Sequence, residues 1–176
     1  MARNIEVKAR INSVEALLPL ACALAGTDAE LIQQDDTFFG VPYGRLKLRE
    51  FADGSAELIH YHRADSAQAK ASDYVRMPVS DPTALRQALQ RACGLLGRVR
   101  KQRWLVIVQD QGFSTRVHLD RVENLGDFME LEVVLIEGQT DAQGAATADR
   151  LMTCLGLSQA PTLAGSYLDL LSTPGT

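Results

Sequence analysis

Glu130 and Glu132 stand two residues apart in a stretch that reads as two strands, Thr115 to Val122 and Phe128 to Ile136, joined by a turn containing Asn124, Gly126 and Asp127. Side chains alternate across a strand, so both carboxylates point the same way, opposite Leu131 and Val133. In the preceding strand Arg116, His118 and Asp120 share one face, and Val117 and Leu119 the other. Like charges held side by side repel and raise each other's pKa unless a cation sits between them. Hard divalent ions such as Mg²⁺ or Mn²⁺ take carboxylate oxygens, so metal binding is the chemistry this pair could do. The solvated face of a half-buried strand would look the same, and the other elements must decide.

The elements available to position such a pair come from 176 residues, the length of one domain spanning 1–176 with room for a sizeable core. The net charge of -4 advertises neither a nucleic acid polymer nor an anionic membrane as partner, so any anion site must be built locally. Cys22, Cys93 and Cys154 lack metal-ligand spacing and fall in apolar helical patterns, which reads as buried free thiols. The charged start and the short apolar run from Leu17 to Ala25 offer neither a signal peptide nor a membrane span, and a cytoplasmic location is expected.

Asn4 to Ile11 alternates as a strand, and Ser13 can cap a helix from Val14 to about Ala25 that Gly26 ends. Pro19 suits that helix if it lies near the first turn. A further segment lies in Ala29 to Phe39; Arg45 to Glu50 and Glu57 to Arg63 follow as strands around an Asp53-Gly54 turn. In the second of these the parity is open, since Ile59, Tyr61 and Arg63 alternate with Leu58, His60 and His62. Ala64 to Ser72 is polar and reads as mobile, and Asp73 to Val79 as a strand. Ser80-Asp81-Pro82 starts a helix that runs to about Leu96 with Gly97 as its stop. Arg98 to Val108 is a strand, Thr140 to Leu155 a helix, and Tyr167 to Leu171 a short amphipathic tail. About eight strands separated by hairpins, with three substantial helices, point to an α+β fold: an antiparallel closed barrel clad by helices.

One polar face carries Glu6, Lys8, Arg10, Arg45, Lys47, Arg49, Lys101, Arg103, Arg116, Asp120, Glu130 and Glu132, and aliphatics occupy the other. If the sheet closes with helices outside, these charges line a wet interior that must fill with something polyanionic. Basic groups around a carboxylate cluster are what a metal-bound polyphosphate needs. The order and spacing of EVK at Glu6 to Lys8, LKLR at Leu46 to Arg49, KQR at Lys101 to Arg103, RVHLD at Arg116 to Asp120, ELE at Glu130 to Glu132 and SYLDLL near the end resemble the CYTH domain, or triphosphate tunnel metalloenzyme, family. That resemblance implies an eight-stranded antiparallel barrel whose interior binds a triphosphate with divalent metals.

Carried over by position, the resemblance implies that Glu6, Asp120, Glu130 and Glu132 hold Mg²⁺ or Mn²⁺. It implies that Lys8, Lys47, Arg49, Arg63, Lys101, Arg103 and Arg116 grip the triphosphate, with Lys8, Arg49, Arg63 and Arg103 closest to catalysis. The first glutamate of the family's ExExK signature is Asn4 here, which weakens a two-metal assignment. Arg63 is the best substitute on charge for a family lysine in the fourth strand. The implied activity is hydrolysis of inorganic tripolyphosphate, thiamine triphosphate or a nucleoside triphosphate by a monomer or homodimer. The alternatives are a class IV adenylate cyclase, which forms 3',5'-cyclic AMP and pyrophosphate from ATP, and a non-catalytic polyphosphate or nucleotide binder.

Overall fold

The computed structural model describes the backbone of residues 2–63 and 70–172, and side chains within 3–62 and 73–172. Its strands are β1 (Ala2–Arg10), β2 (Glu30–Phe39), β3 (Arg45–Phe51), β4 (Ala56–Arg63), β5 (Lys70–Pro78), β6 (Leu95–Asp110), β7 (Phe113–Val122) and β8 (Gly126–Leu135). They close into one antiparallel barrel in the order β1-β5-β4-β3-β2-β6-β7-β8, with β8 returning to β1. Four helices accompany them: α1 (Val14–Ala25), α2 (Pro82–Cys93), α3 (Asp141–Cys154) and α4 (Tyr167–Ser172). No helix among the described residues is long and apolar enough to cross a membrane.

The alternation that makes each strand also sorts it into two environments. Outward aliphatics such as Ile5, Val7, Val117, Leu119, Leu131 and Val133 form the main core with Leu17 and Ala21 of α1 and Ala148 and Leu151 of α3. On another side α2 lays Leu85, Leu89 and Cys93 over Phe39, Leu48 and Ala56. Ser13 caps α1 through Ala16 N at 3.2 Å. Pro19 lies inside α1, beyond its first turn, but on the exposed face, so the carbonyl its ring leaves without an amide donor faces water.

Three sequence expectations change. α2 ends at Cys93 with Gly94 at φ 77°, and β6 already begins at Leu95 because Leu95 pairs with Phe39. Gly97 is therefore no helix stop: a Cβ there would come within 2.6 Å of Leu168 Cδ1, so glycine lets α4 lie on β6. The strand expected from Asp73 starts at Lys70, pairing with β1 and β4 together, while residues 64–69 of the segment read as mobile lie outside the described residues. The cysteines are free, but Cys22 and Cys93 are only half-buried and Cys154 is exposed.

Candidate functional site

Strand register, more than any loop, builds the interior. Across β1, β8 and β7 the pairs Lys8–Glu130, Glu132–Arg116 and Glu130–His118 put acids and bases side by side, and Glu6–Glu132 sets two acids together. Across β2 and β3, Asp36 pairs with Arg49, and across β6 and β7 Arg103 pairs with Asp120. The result is a cavity of about 300 Å³ whose wall includes Asn4, Glu6, Lys8, Lys47, Arg49, Lys101, Arg103, Arg116, Glu130 and Glu132. Seven basic and five acidic side chains line it among the described residues, a positive surplus within a chain of net charge -4.

One sector is basic. Asp36, 2% exposed, accepts hydrogen bonds from Lys47 Nζ at 2.8 Å and from Arg49 Nε and Nη2, each at 2.7 Å. Burial would raise its pKa, but Arg49 and Lys47 outweigh that and hold the carboxylate well below its usual range. Lys47 also falls, to about 8, because burial and the neighbouring Arg49 disfavour its charge more than the single anion Asp36 restores it. Next to this pair, Arg103 forks onto Asp120 at 2.7 and 2.6 Å and reaches Glu130 Oε2 at 2.9 Å. Lys101 Nζ lies 3.4 Å from Asp120, and burial with the nearby Arg103 lowers its pKa to about 7.

The other sector is acidic. Glu130 and Glu132 face Glu6 and Lys8 of β1, with Lys8 Nζ 3.9 Å from Glu6 and 4.0 Å from Glu130. The mutual repulsion expected of the pair is overridden. Burial raises Glu130, yet Lys8, His118 and Arg103 hold it well below its ordinary value. Glu132 is likewise lowered against burial, by His118 first and then by Arg103 and Arg116. Arg116 Nη1 lies 3.2 Å from Glu132. His118 Nδ1 lies 3.9 Å from both carboxylates and has no hydrogen-bond partner; burial, then Arg103, lowers its pKa.

The two ends differ. At one, Tyr167 of α4 enters against Phe38, Val99, Val122 and Phe128, donates from its hydroxyl to Asp120 at 2.9 Å, and lies under Lys8 Nζ at 4.2 Å from the ring centroid. Arg10 and Arg45 have the inward parity but sit at this closed end, where Arg10 covers Phe128 and Arg45 pairs with Asp169 at 2.7 Å, so neither lines the cavity. Toward the other end the lining turns apolar on the β2, β3 and β6 side, with Ile32, Phe51 and Leu105, while β4 contributes Ile59 at the level of Lys47 and then Glu57.

The open parity of β4 is settled: Tyr61 and Ile59 line the cavity, while His60 bonds the Tyr43 carbonyl at 3.0 Å and exposed His62 stacks on Tyr43 at 4.6 Å. Arg63 ends β4 on the inward parity, and its side chain lies outside the described residues. Asp120, fully buried, sits behind the wall in the hands of Arg103, Lys101 and Tyr167. Sequence reasoning did not name Asp36, Gln34, His118 or Tyr167 as site residues.

A closed eight-stranded barrel with helices outside is a distinctive fold, and solved structures share it. The PH1012 protein of Pyrococcus horikoshii OT3 superimposes with a TM-score of 0.79 at 23% identity, over 95% of this chain and 98% of that one. A Vibrio parahaemolyticus protein provisionally described as an adenylate cyclase gives 0.76 at 20% identity, over 97% and 98%. A Bacillus halodurans protein described in the same provisional way gives 0.59 at 13%, over 98% and 100%. At these identities the likeness is one of fold. No curated protein matches the chain. The sequence profile of the CYTH domain matches residues 2–167, and the chain belongs to that family.

The lowered Lys47 makes a pH prediction. Its folded pKa of about 8 lies below the unfolded value of 10.5, so between these limits the unfolded chain binds more protons and stability rises with pH. The wild type is expected to gain more stability from pH 8 to pH 10 than Lys47→Met, measured by thermal unfolding. Equal gains would exclude this charge as the source.

Proposed function

We propose that the protein is a divalent-metal-dependent triphosphatase acting on inorganic tripolyphosphate, thiamine triphosphate or a nucleoside triphosphate drawn into the barrel. The observation that carries this reading is the basic sector of half-buried Lys47 and Arg49 and buried Lys101 and Arg103, facing the carboxylates of β1 and β8 across one cavity closed by Tyr167. A guanidinium has five N–H donors. Arg49 uses two on Asp36 and Arg103 three on Asp120 and Glu130, so both retain donors for nonbridging phosphate oxygens. Lys47, Lys101 and Lys8 add point charges against developing negative charge on the leaving oxygen. The acidic sector suits a divalent ion, because His118 Nδ1 is a buried polar atom without a partner beside Glu130 and Glu132, and Asn4 Oδ1, also buried without a partner, lies on the same face of β1 as Glu6. Bound there, such an ion would neutralise phosphate oxygens and polarise the phosphorus. Hydrolysis then adds water across a P–O–P bridge, releasing orthophosphate and pyrophosphate from tripolyphosphate.

The apolar wall of Ile32, Phe51 and Leu105 favours a second reading, a class IV adenylate cyclase, since a base and ribose could rest on it while the 3'-hydroxyl attacks the α-phosphorus. The two cyclase-described proteins of like fold lean the same way. Product analysis with tripolyphosphate, thiamine triphosphate and ATP, each with Mg²⁺ and Mn²⁺, separates the readings. Orthophosphate release is expected; cyclic AMP from ATP with none from tripolyphosphate would promote the cyclase, and binding without turnover the third reading, a binder. Asn4→Glu, which adds a carboxylate beside Glu6, is expected to lower the metal concentration for half-maximal rate if two ions are used. An unchanged metal requirement would speak for one.

A further inference from the structure

We propose that His118 is a metal ligand alongside Glu130 and Glu132, and that its nitrogen makes the centre select first-row transition dications such as Co²⁺ and Mn²⁺ over Mg²⁺. This rests on the reading of the acidic sector as a divalent-metal site. Donor atoms of the three side chains lie within 4.8 Å of one another. The imidazole is 3% exposed, and its Nδ1 stands 3.9 Å from Glu130 Oε2 and from Glu132 Oε1, too far to bond either. Two atoms bound to one ion at bond lengths of about 2.1 Å lie roughly 3 to 4.2 Å apart, so this spacing fits a shared ion better than a hydrogen bond.

A histidine with only a packing role would have a partner at that nitrogen, as buried polar groups normally do. Here the neighbouring bases are paired: Arg103 holds Glu130 Oε2 at 2.9 Å and Arg116 holds Glu132 Oε2 at 3.2 Å. Those pairings reduce the carboxylate oxygens left for an ion, and the unpartnered imidazole is positioned to supply the missing donor. Mg²⁺ takes oxygen ligands and keeps its waters, whereas imidazole raises affinity along the transition series.

The test uses the full chain without any triphosphate. Pulsed electron paramagnetic resonance of bound Mn²⁺ is expected to show nitrogen coupling that disappears in His118→Gln. The chain has three histidines. The coupling should therefore persist when the two outside the barrel, His60 and His62, are both replaced by Gln. In equilibrium titrations His118→Gln is expected to weaken Co²⁺ at least about tenfold and Mg²⁺ less than about twofold. Absence of nitrogen coupling in the wild type overturns the proposal, and so does equal weakening of both ions. The wild-type spectrum decides even if the variant fails to fold. Failure to hydrolyse any triphosphate would instead sink the functional reading and leave these measurements standing.

Discussion

Replacing Arg103 by alanine is expected to abolish turnover and to cost about 3 to 5 kcal/mol of folding stability, because it strands buried carboxylates. The guanidinium forks onto Asp120, which is fully buried, and also reaches Glu130. Burial acts to raise Asp120, and Arg103 followed by Lys101 reverses that, holding its pKa far below the ordinary value. Without Arg103 the desolvation is opposed chiefly by Lys101, whose own charge is weakened by burial. The sign of the pH dependence follows. A depressed carboxylate stabilises above its unfolded pKa and loses that contribution as pH falls through the folded one. The variant lacks the contribution, so its deficit should be full at pH 7 and shrink in acid. Arg103→Lys keeps a charge but loses the fork and should fall between. Denaturant unfolding at pH 7 and at about pH 2.5, below the ordinary carboxylate pKa, checks this, with Arg91→Ala on exposed α2 surface as the neutral control. A stability within about 1 kcal/mol of wild type would refute the role.

Alternation was enough to expose the barrel, because a strand half inside a helix-clad sheet must segregate its side chains in both directions. It failed where the sequence repeats one polarity at adjacent positions. Gln33-Gln34 and Asp35-Asp36 conceal the parity of β2, and only pairing with β3 reveals that Asp36 turns inward to Lys47 and Arg49 while Asp35 turns outward to Arg98. His118 was legible on the face of Arg116 and Asp120, but nothing local says that β8 brings both glutamates beside it. Tyr167 was visible only as part of the SYLDLL stretch, which does not say that the ring enters the barrel. It reaches Asp120 from a short helix carried across the barrel end by the bridge of Ala9 to Thr162 and by Leu163 N bonding Lys8 O.

That closed end explains why equal parity does not mean equal role. Arg10 and Arg45 face the same side of their strands as Lys8 and Lys47, yet at their level α4 and its aromatic cluster occupy the space. Asp120 at the inner margin is drawn into holding Tyr167 and Arg103. In the proposed site it would therefore position the basic sector, and the metal would fall to Glu130, Glu132 and Glu6.

Glu130→Gln and Glu132→Gln are each expected to lower divalent-ion affinity at least about tenfold and turnover by more than about a hundredfold, while differing in stability. Glu130 is buried and anchored by Arg103 at 2.9 Å, so its neutral substitute leaves that guanidinium and Lys8 less compensated. Glu132 is more open, 19% exposed at the side chain, and its partner Arg116 is 32% exposed, so solvent replaces much of that pair. Without metal, Glu130→Gln should unfold at clearly lower denaturant than wild type, and Glu132→Gln should nearly match it. Because the folded pKa of Glu130 is depressed, the difference between wild type and Glu130→Gln should be complete above pH 5 and fade as pH falls through that folded value. Calorimetric ion titration and denaturant unfolding on the same preparations test both halves. Wild-type ion affinity in both variants would end the assignment of these carboxylates to the metal, and equal metal-free stabilities would show that Glu130 contributes no more to the barrel than its neighbour does.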